Sequence, residues 1–143
     1  MPERDFAVMQ AALHVAEKPK YHHRNVVVEI LTAVAANDFD SLTQHFSDDA
    51  ELHIHGFPNI DGVWRGQKQV IAGIAENFGK LIQQKPMVES IIHQDGALAI
   101  RLEETGVYKA SGRRYHLRGV IWFTFDGSRV SRIEEFLQTV IPG

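Results

Sequence analysis

Cysteine is missing from this 143-residue chain. Its absence removes disulfides, thiolate zinc sites and cysteine nucleophiles together. A basic surplus is missing too. Fifteen Lys and Arg stand against eighteen Asp and Glu, for a formal net charge of −3, so the charge footprint of a nucleic-acid binder is not there. Long apolar runs are absent. The two most apolar windows, 26–36 and 119–125, fall far short of the ~20 residues that span a bilayer. The opening Met1-Pro2-Glu3-Arg4-Asp5 has no basic segment leading into an apolar one. No internal repeat, low-complexity tract or linker interrupts the chain. The expectation is one cytoplasmic domain over residues 1–143. What is present is ordinary for such a domain, at 44% apolar and 23% charged residues. A chain of this size buries about two-thirds of its unfolded surface, enough for a core with a small pocket inside it. Eight histidines are the one compositional excess.

Hydrophobic periodicity divides the chain into a helical half and a strand half. Asp5 caps a short predicted helix with Phe6, Met9 and Leu13 on one face, ended by Pro19, and a connector runs on to residue 23. Val27, Ile30, Leu31, Val34 and Ala35 form a continuous stripe at helical spacing. Asp40 is placed to cap a short helix through Phe46. Glu51-Leu52-His53-Ile54-His55 alternates with period two and reads as a strand. Residues 56–66 read as a Gly- and Pro-rich loop containing Trp64. A third helix is predicted over 67–84, with Val70, Ile74, Phe78, Leu81 and Ile82 on its apolar face. Four strands are then predicted over 88–94, 97–109, 113–125 and 129–140. Their separators, Asp95-Gly96, Ser111-Gly112 and Asp126-Gly127, are hairpin signals. The fold class is α+β, a curved antiparallel sheet with about three helices on its concave face.

One strand carries information on both faces. Tyr115, Leu117, Ile121, Phe123 and Phe125 form a core face. The opposite face places Val120 and Trp122 at the centre of a half-polar row. That pattern reads either as a homodimer surface on the outer face of the sheet or as a lone exposed Trp.

Helix, helix, strand, Gly-rich loop, helix and meander is an order shared with a known group. Ala35-Ala36-Asn37-Asp38-Phe39-Asp40-Ser41-Leu42, Phe46-Ser47-Asp48-Asp49-Ala50, Gly62-Val63-Trp64-Arg65-Gly66, the run 118–127 and Arg132-Ile133-Glu134-Glu135-Phe136 carry the likeness. Over about residues 24–140 the chain resembles the SnoaL-like and ketosteroid-isomerase-like branch of the nuclear transport factor two-like superfamily. The resemblance implies a cone-shaped fold with a pocket between helices and sheet, often dimeric, serving isomerases, cyclases, dehydratases, epoxide hydrolases and non-enzymatic binders. It also implies which positions would act. The base Asp of the isomerases falls on Ile54, the acid of their oxyanion hole and the catalytic Asp of the cyclases fall on Ile121, and the isomerase tyrosine falls on Ile30. Isoleucine exchanges no proton, so neither mechanism carries over. Glu135 matches an acid that related epoxide hydrolases and phenazine-biosynthesis proteins keep on the last strand. Arg101-Leu102-Glu103 is similar to the Arg-x-Asp of those hydrolases.

Glu135 alternates with Ile133 and Leu137. Buried among them, its carboxyl would have the raised pKa of a general acid or base; exposed, it would pair with Arg132 or Arg118. Leu98, Ile100 and Leu102 are the apolar face of their strand, which turns Arg101 and Glu103 outward, while the register choice decides whether Leu102 and Glu104 face the pocket instead. His53 and His55 share a face and lack a third partner for a metal. His55, at the strand end, stands as either a rim base or a surface residue. His22 and His23 read as solvated, and His116 as outer-face. Tyr108 and Tyr115 flank a turn, where they bind a ligand oxygen or simply pack together. Trp64 is an apolar plug or a pocket wall.

The expectation is a pocket protein for a small apolar molecule, without cofactor or metal and without nucleic-acid or membrane partners. Lyase, isomerase or cyclase-type proton transfer through Glu135 and His55 is the leading reading. Ile30, Leu52, Ile54, Trp64, Leu102, Tyr115, Leu117, Ile121, Phe123, Ile133 and Leu137 are the expected ligand contacts. A non-catalytic binder and an epoxide-hydrolase-like enzyme are the alternatives.

Overall fold

A computed structural model describes Phe6 and residues 22–140. Most of the predicted N-terminal helix lies outside the described residues. Helix α1 (His22–Ala35) buries Val26, Val27, Val28, Ile30, Ala33 and Val34; of the predicted stripe Val27, Ile30 and Val34 are buried, Leu31 is half-buried and Ala35 is exposed. It ends where Asn37 turns into the left-handed region at φ 57°. There the Asn37 and Asp38 amides bond back to the Val34 and Ala33 carbonyls, closing the helix C-terminus. A 3₁₀ turn (Asp40–His45) follows. Phe39, not Asp40, occupies its capping position and makes no side-chain cap.

Strand β1 (Phe46–His55) starts five residues before the predicted strand. The segment expected to be all loop contains a short edge strand, β2 (Gly62–Arg65), antiparallel to β1. Helix α2 (Gln67–Gly79) is shorter than predicted. Leu81 and Ile82 continue its apolar spacing but belong to β3 (Leu81–Gln94). At this point an apolar pair satisfies both periods, and the backbone turn at Lys80 decides between them. The hairpin signals deliver β4 (Ala97–Tyr108), β5 (Arg114–Asp126) and β6 (Arg129–Thr139).

The six strands form a curved, open sheet in the order β2-β1-β6-β5-β4-β3. All neighbours are antiparallel except β1 and β6, which run parallel and bring Leu52 beside Ile133 and Ile54 beside Glu135. One face of the sheet meets the helices. Its core contains Leu42, Phe46, Leu52, Val70, Leu98, Ile100, Leu102 and Val130, all essentially inaccessible. Met87 and Ile92 on the edge strand, and Trp122 and Phe136 on β5 and β6, stay exposed.

β3 changes phase near its start. Its pairing with β4 shifts between Ile82 and Lys85, and Gln83 adopts φ 54°. This bulge lets Leu81 and Gln84, three residues apart, both bury on the inner side. Strict alternation would have turned Gln84 outward.

Candidate functional site

Between α1, α2 and the inner face of the sheet lies a cavity of about 110 Å³. Its wall is almost wholly apolar. Ile30 enters from α1, Leu52 and Ile54 from β1, Leu102 from β4, and Leu117, Ile121 and Phe123 from β5. Ile133 and Leu137 enter from β6. Among the described residues four polar side chains interrupt this lining: Asn77 on α2, Gln84 on β3, Glu104 on β4 and Glu135 on β6.

The strand ladders explain the placement of the two carboxyls. Glu135 stands opposite Ile121 on β5 and beside Ile54 on β1. Two of the isoleucines at proton-transfer positions of the resembled enzymes therefore flank the acid. Burial, and then the charge of Glu104, push the Glu135 carboxyl up to about 8. Glu104 stands opposite Leu117, four residues along β5 from Ile121. Its burial raises its proton affinity, while hydrogen bonds from Tyr115 and Gln84 oppose the rise by favouring the charged form. The Tyr115 hydroxyl donates to Glu104 Oε2 at 2.6 Å. Burial and the neighbouring carboxylate keep that phenol protonated. Of the two, Glu104 has donors that favour its charged form, while Glu135, set among isoleucines and near Glu104, is pushed toward the neutral acid.

A glycine makes this arrangement possible. Gly106 faces Tyr115 across the β4–β5 ladder. A Cβ at Gly106 would overlap the tyrosine ring, so the missing side chain lets the hydroxyl reach Glu104.

The expected site residues separate into two groups. Glu135 and the aliphatic and phenylalanine contacts meet at the cavity. Tyr115 acts from behind its wall, through Glu104, and packs with Phe57 at 5.0 Å and Tyr108 at 5.4 Å. Trp64 lies away from the cavity, with its indole filling the space over Gly73 of α2, which makes it a plug. His55 projects from the opposite side of the sheet, where its ring stacks on Phe136 at 5.2 Å. Alternation from the inward Leu52 and Ile54 sends it there. No turn at Gly56 brings it back to the cavity.

Arg101 and Glu103 also lie outside. Arg101 pairs with Glu89 at 3.0 Å, and Glu103 meets His116 at 3.3 Å. The Arg-x-acid likeness therefore supplies no cavity arginine, and Glu104, one residue on, is the second acid. The signal for it was present in the phase of Leu98, Ile100 and Leu102. Asn77 and Gln84 gave no such signal, since one sits in a helix turn and the other behind a bulge.

The remaining histidines have other surroundings. His53 is buried on the outer side and bonds Glu51 at 2.7 Å. His23 stacks on Phe125 at 3.9 Å and bonds the Gly127 carbonyl, so it is not simply solvated. His45 lies beside Glu29, and burial lowers its pKa. Among the described residues no three His, Asp or Glu side chains converge as a metal site.

Relatives agree with the architecture. A 1.59 Å crystal structure of an NTF2-like protein from Burkholderia xenovorans LB400 superposes with a TM-score of 0.71 at 19% identity, covering 82% of this chain and 89% of the other. Bal32a, from a soil-derived mobile gene cassette, gives 0.69 at 21% identity over 81% and 88%. An LEH-like epoxide hydrolase from M. tuberculosis gives 0.65 at 16% identity over 82% and 83%. No curated protein matches the chain. The SnoaL-like domain profile matches residues 27–133, and the chain belongs to the SnoaL-like domain family.

Proposed function

We propose that this protein is an acid–base enzyme acting on a small, neutral, largely apolar molecule held between Glu104 and Glu135. The observation that carries the reading is the pairing of two carboxyls in one apolar cavity, with unequal environments. In the working state Glu104 is ionised and accepts a proton from substrate or from a water. The protonated Glu135 donates one to an oxygen or carbon on the other side. The two residues end with their protonation states exchanged, and proton return through water resets them. Isomerisation and elimination of water both fit this cycle. Water addition to a strained ring fits it too, as in the epoxide hydrolase that shares the fold, although among the described residues no arginine lines the cavity. His55 takes no part.

Carbon-13 NMR of the glutamate side chains tests the pair directly. Two carboxyls should titrate above the ordinary carboxylate range, the higher near pH 8. Glu104→Gln should bring Glu135 down by removing the neighbouring charge. Ordinary titration of both groups would sink the reading.

The outer sheet face serves as a homodimer surface in this proposal. Trp122 is 37% and Phe136 50% exposed, and Val120 lies on the same row. Arg118 and Glu134 surround them with both signs of charge, as a face that meets its own copy across a two-fold axis requires. Trp122→Glu should convert a sedimenting dimer into a monomer. A wild-type chain that stays monomeric at high micromolar concentration rejects the surface.

A further inference from the structure

Two cavity-lining side chains each keep one polar atom without a partner among the described residues. Asn77 is 5% exposed and Gln84 2%. Both line the cavity. Asn77 Nδ2 and Gln84 Oε1 are fully buried without a hydrogen-bond partner among the described residues. Each such orphan costs about 1–3 kcal/mol, and a fold that serves only packing would place leucine or methionine there.

Their orientations are informative. Gln84 engages both Glu104 and the Tyr115 oxygen. An ionised carboxylate only accepts hydrogen bonds, so the Gln84 amide nitrogen is turned toward it and Oε1 is left over as an acceptor. The bulge at Gln83, with its positive φ, is what brings Gln84 to the inner side at all. Strained backbone of this kind persists where surrounding structure holds it for a purpose. Asn77 offers the complementary group, an unused N–H donor. The cavity, at about 110 Å³, is of the same order as an engineered ~150 Å³ cavity that takes benzene, which sets one small ring as the upper limit on its occupant. Glu104 already has its donors in Tyr115 and Gln84.

We propose that Asn77 and Gln84 read the ligand, and that the ligand is an uncharged, ring-sized molecule carrying one hydrogen-bond acceptor for Asn77 and one donor for Gln84. A lactam or a cyclic hydroxy-ketone has this chemistry. The assignment rests on the cavity being the binding site of the acid–base reading, and it adds the class of molecule that enters.

Saturation-transfer NMR with four probes tests it on the full-length protein. The probes are 2-piperidone (acceptor and donor), cyclohexanone (acceptor only), benzene (neither) and piperidine (cationic). 2-Piperidone should bind wild type most tightly. Asn77→Leu should weaken both oxygen-bearing probes about tenfold and spare benzene. Gln84→Met should weaken 2-piperidone and spare cyclohexanone. The free Asn77→Leu protein should melt at or above the wild-type temperature, because it loses an unpaired buried donor. A melting point well below wild type would make Asn77 a structural residue and overturn the proposal. So would equal binding of all probes, tightest binding of piperidine, or no binding at millimolar concentration. Failure here with both carboxyls still titrating high leaves the acid–base reading intact. Ordinary carboxyl titration with 2-piperidone binding retained does the reverse.

Discussion

Glu135→Gln should lower kcat/KM by about 10²–10⁴ on any substrate found by screening ring-sized epoxides and β,γ-unsaturated ketones. The amide keeps the volume and much of the polarity of the protonated acid, so the cavity wall is preserved and ligand affinity should stay within a few-fold. It has no proton to give on demand. The pH profile sharpens the test. Glu135 must be protonated to act as the acid, and its pKa is pushed up to about 8 by burial and by Glu104, so kcat/KM should fall as pH rises through that value. The acidic limb belongs to Glu104, whose burial places it above the ordinary range. Together they give a bell whose two limbs report the pair rather than either residue alone. Glu104→Gln should remove the base and shift the alkaline limb to lower pH. If Glu135→Gln turns over like wild type, the acid role is wrong. If wild type binds the probes but transforms none of the screened compounds, the protein is the non-catalytic binder of the same fold.

The second large effect is on stability. The folded-state pKa of Glu135 lies far above its ordinary 4.5. The native state therefore binds this proton more tightly than the unfolded chain does. The contribution is fully present below pH 4.5 and is lost progressively as pH rises toward about 8. The loss amounts to roughly 5 kcal/mol, a large share of the ~5–15 kcal/mol that holds a domain together. Glu104 shifts in the same direction and adds to the slope. Urea unfolding at pH 5 and pH 8.5 should show the protein markedly weaker at the higher pH. Glu135→Leu should flatten that difference and raise stability at pH 8.5, since an apolar side chain has no proton to lose. Flat or rising wild-type stability across this window would mean that Glu135 reaches solvent.

These effects trace back to features of unequal visibility in the sequence. The meander was legible because Asp-Gly and Ser-Gly pairs punctuate long alternating runs. Helix α1 was legible because five apolar residues repeat at one period, although Ala35 at its end is exposed. Glu135 stood out as a lone acid between Ile133 and Leu137. The boundary between α2 and β3 was not legible, since Leu81 and Ile82 suit either element until the turn at Lys80 is known. β2 was hidden because a four-residue edge strand that opens on Gly62 and is followed by Gly66 has the composition of a loop. Glu104 followed from the alternation that placed Leu102 inward, yet the Arg101-Leu102-Glu103 likeness drew attention to the wrong neighbour. Gln84 was beyond reach, because a bulge breaks the very alternation by which strand faces are read. His55 shows the converse. Its alternation with Leu52 and Ile54 turns it outward, and its place at the strand end beside Gly56 does not reverse that.

The parallel seam between β1 and β6 has a kinetic meaning. Hairpins β3 to β6 join neighbours in the chain, and their contacts close short loops. Ile54 meets Glu135 only when the two halves of the sequence come together, a non-local pairing of the kind that slows folding. Until that seam closes, Glu135 has one isoleucine wall instead of two and remains a wet, ordinary carboxylate. The raised proton affinity of Glu135 is therefore a property of the closed sheet, made by two strands distant in sequence, rather than of the residue itself.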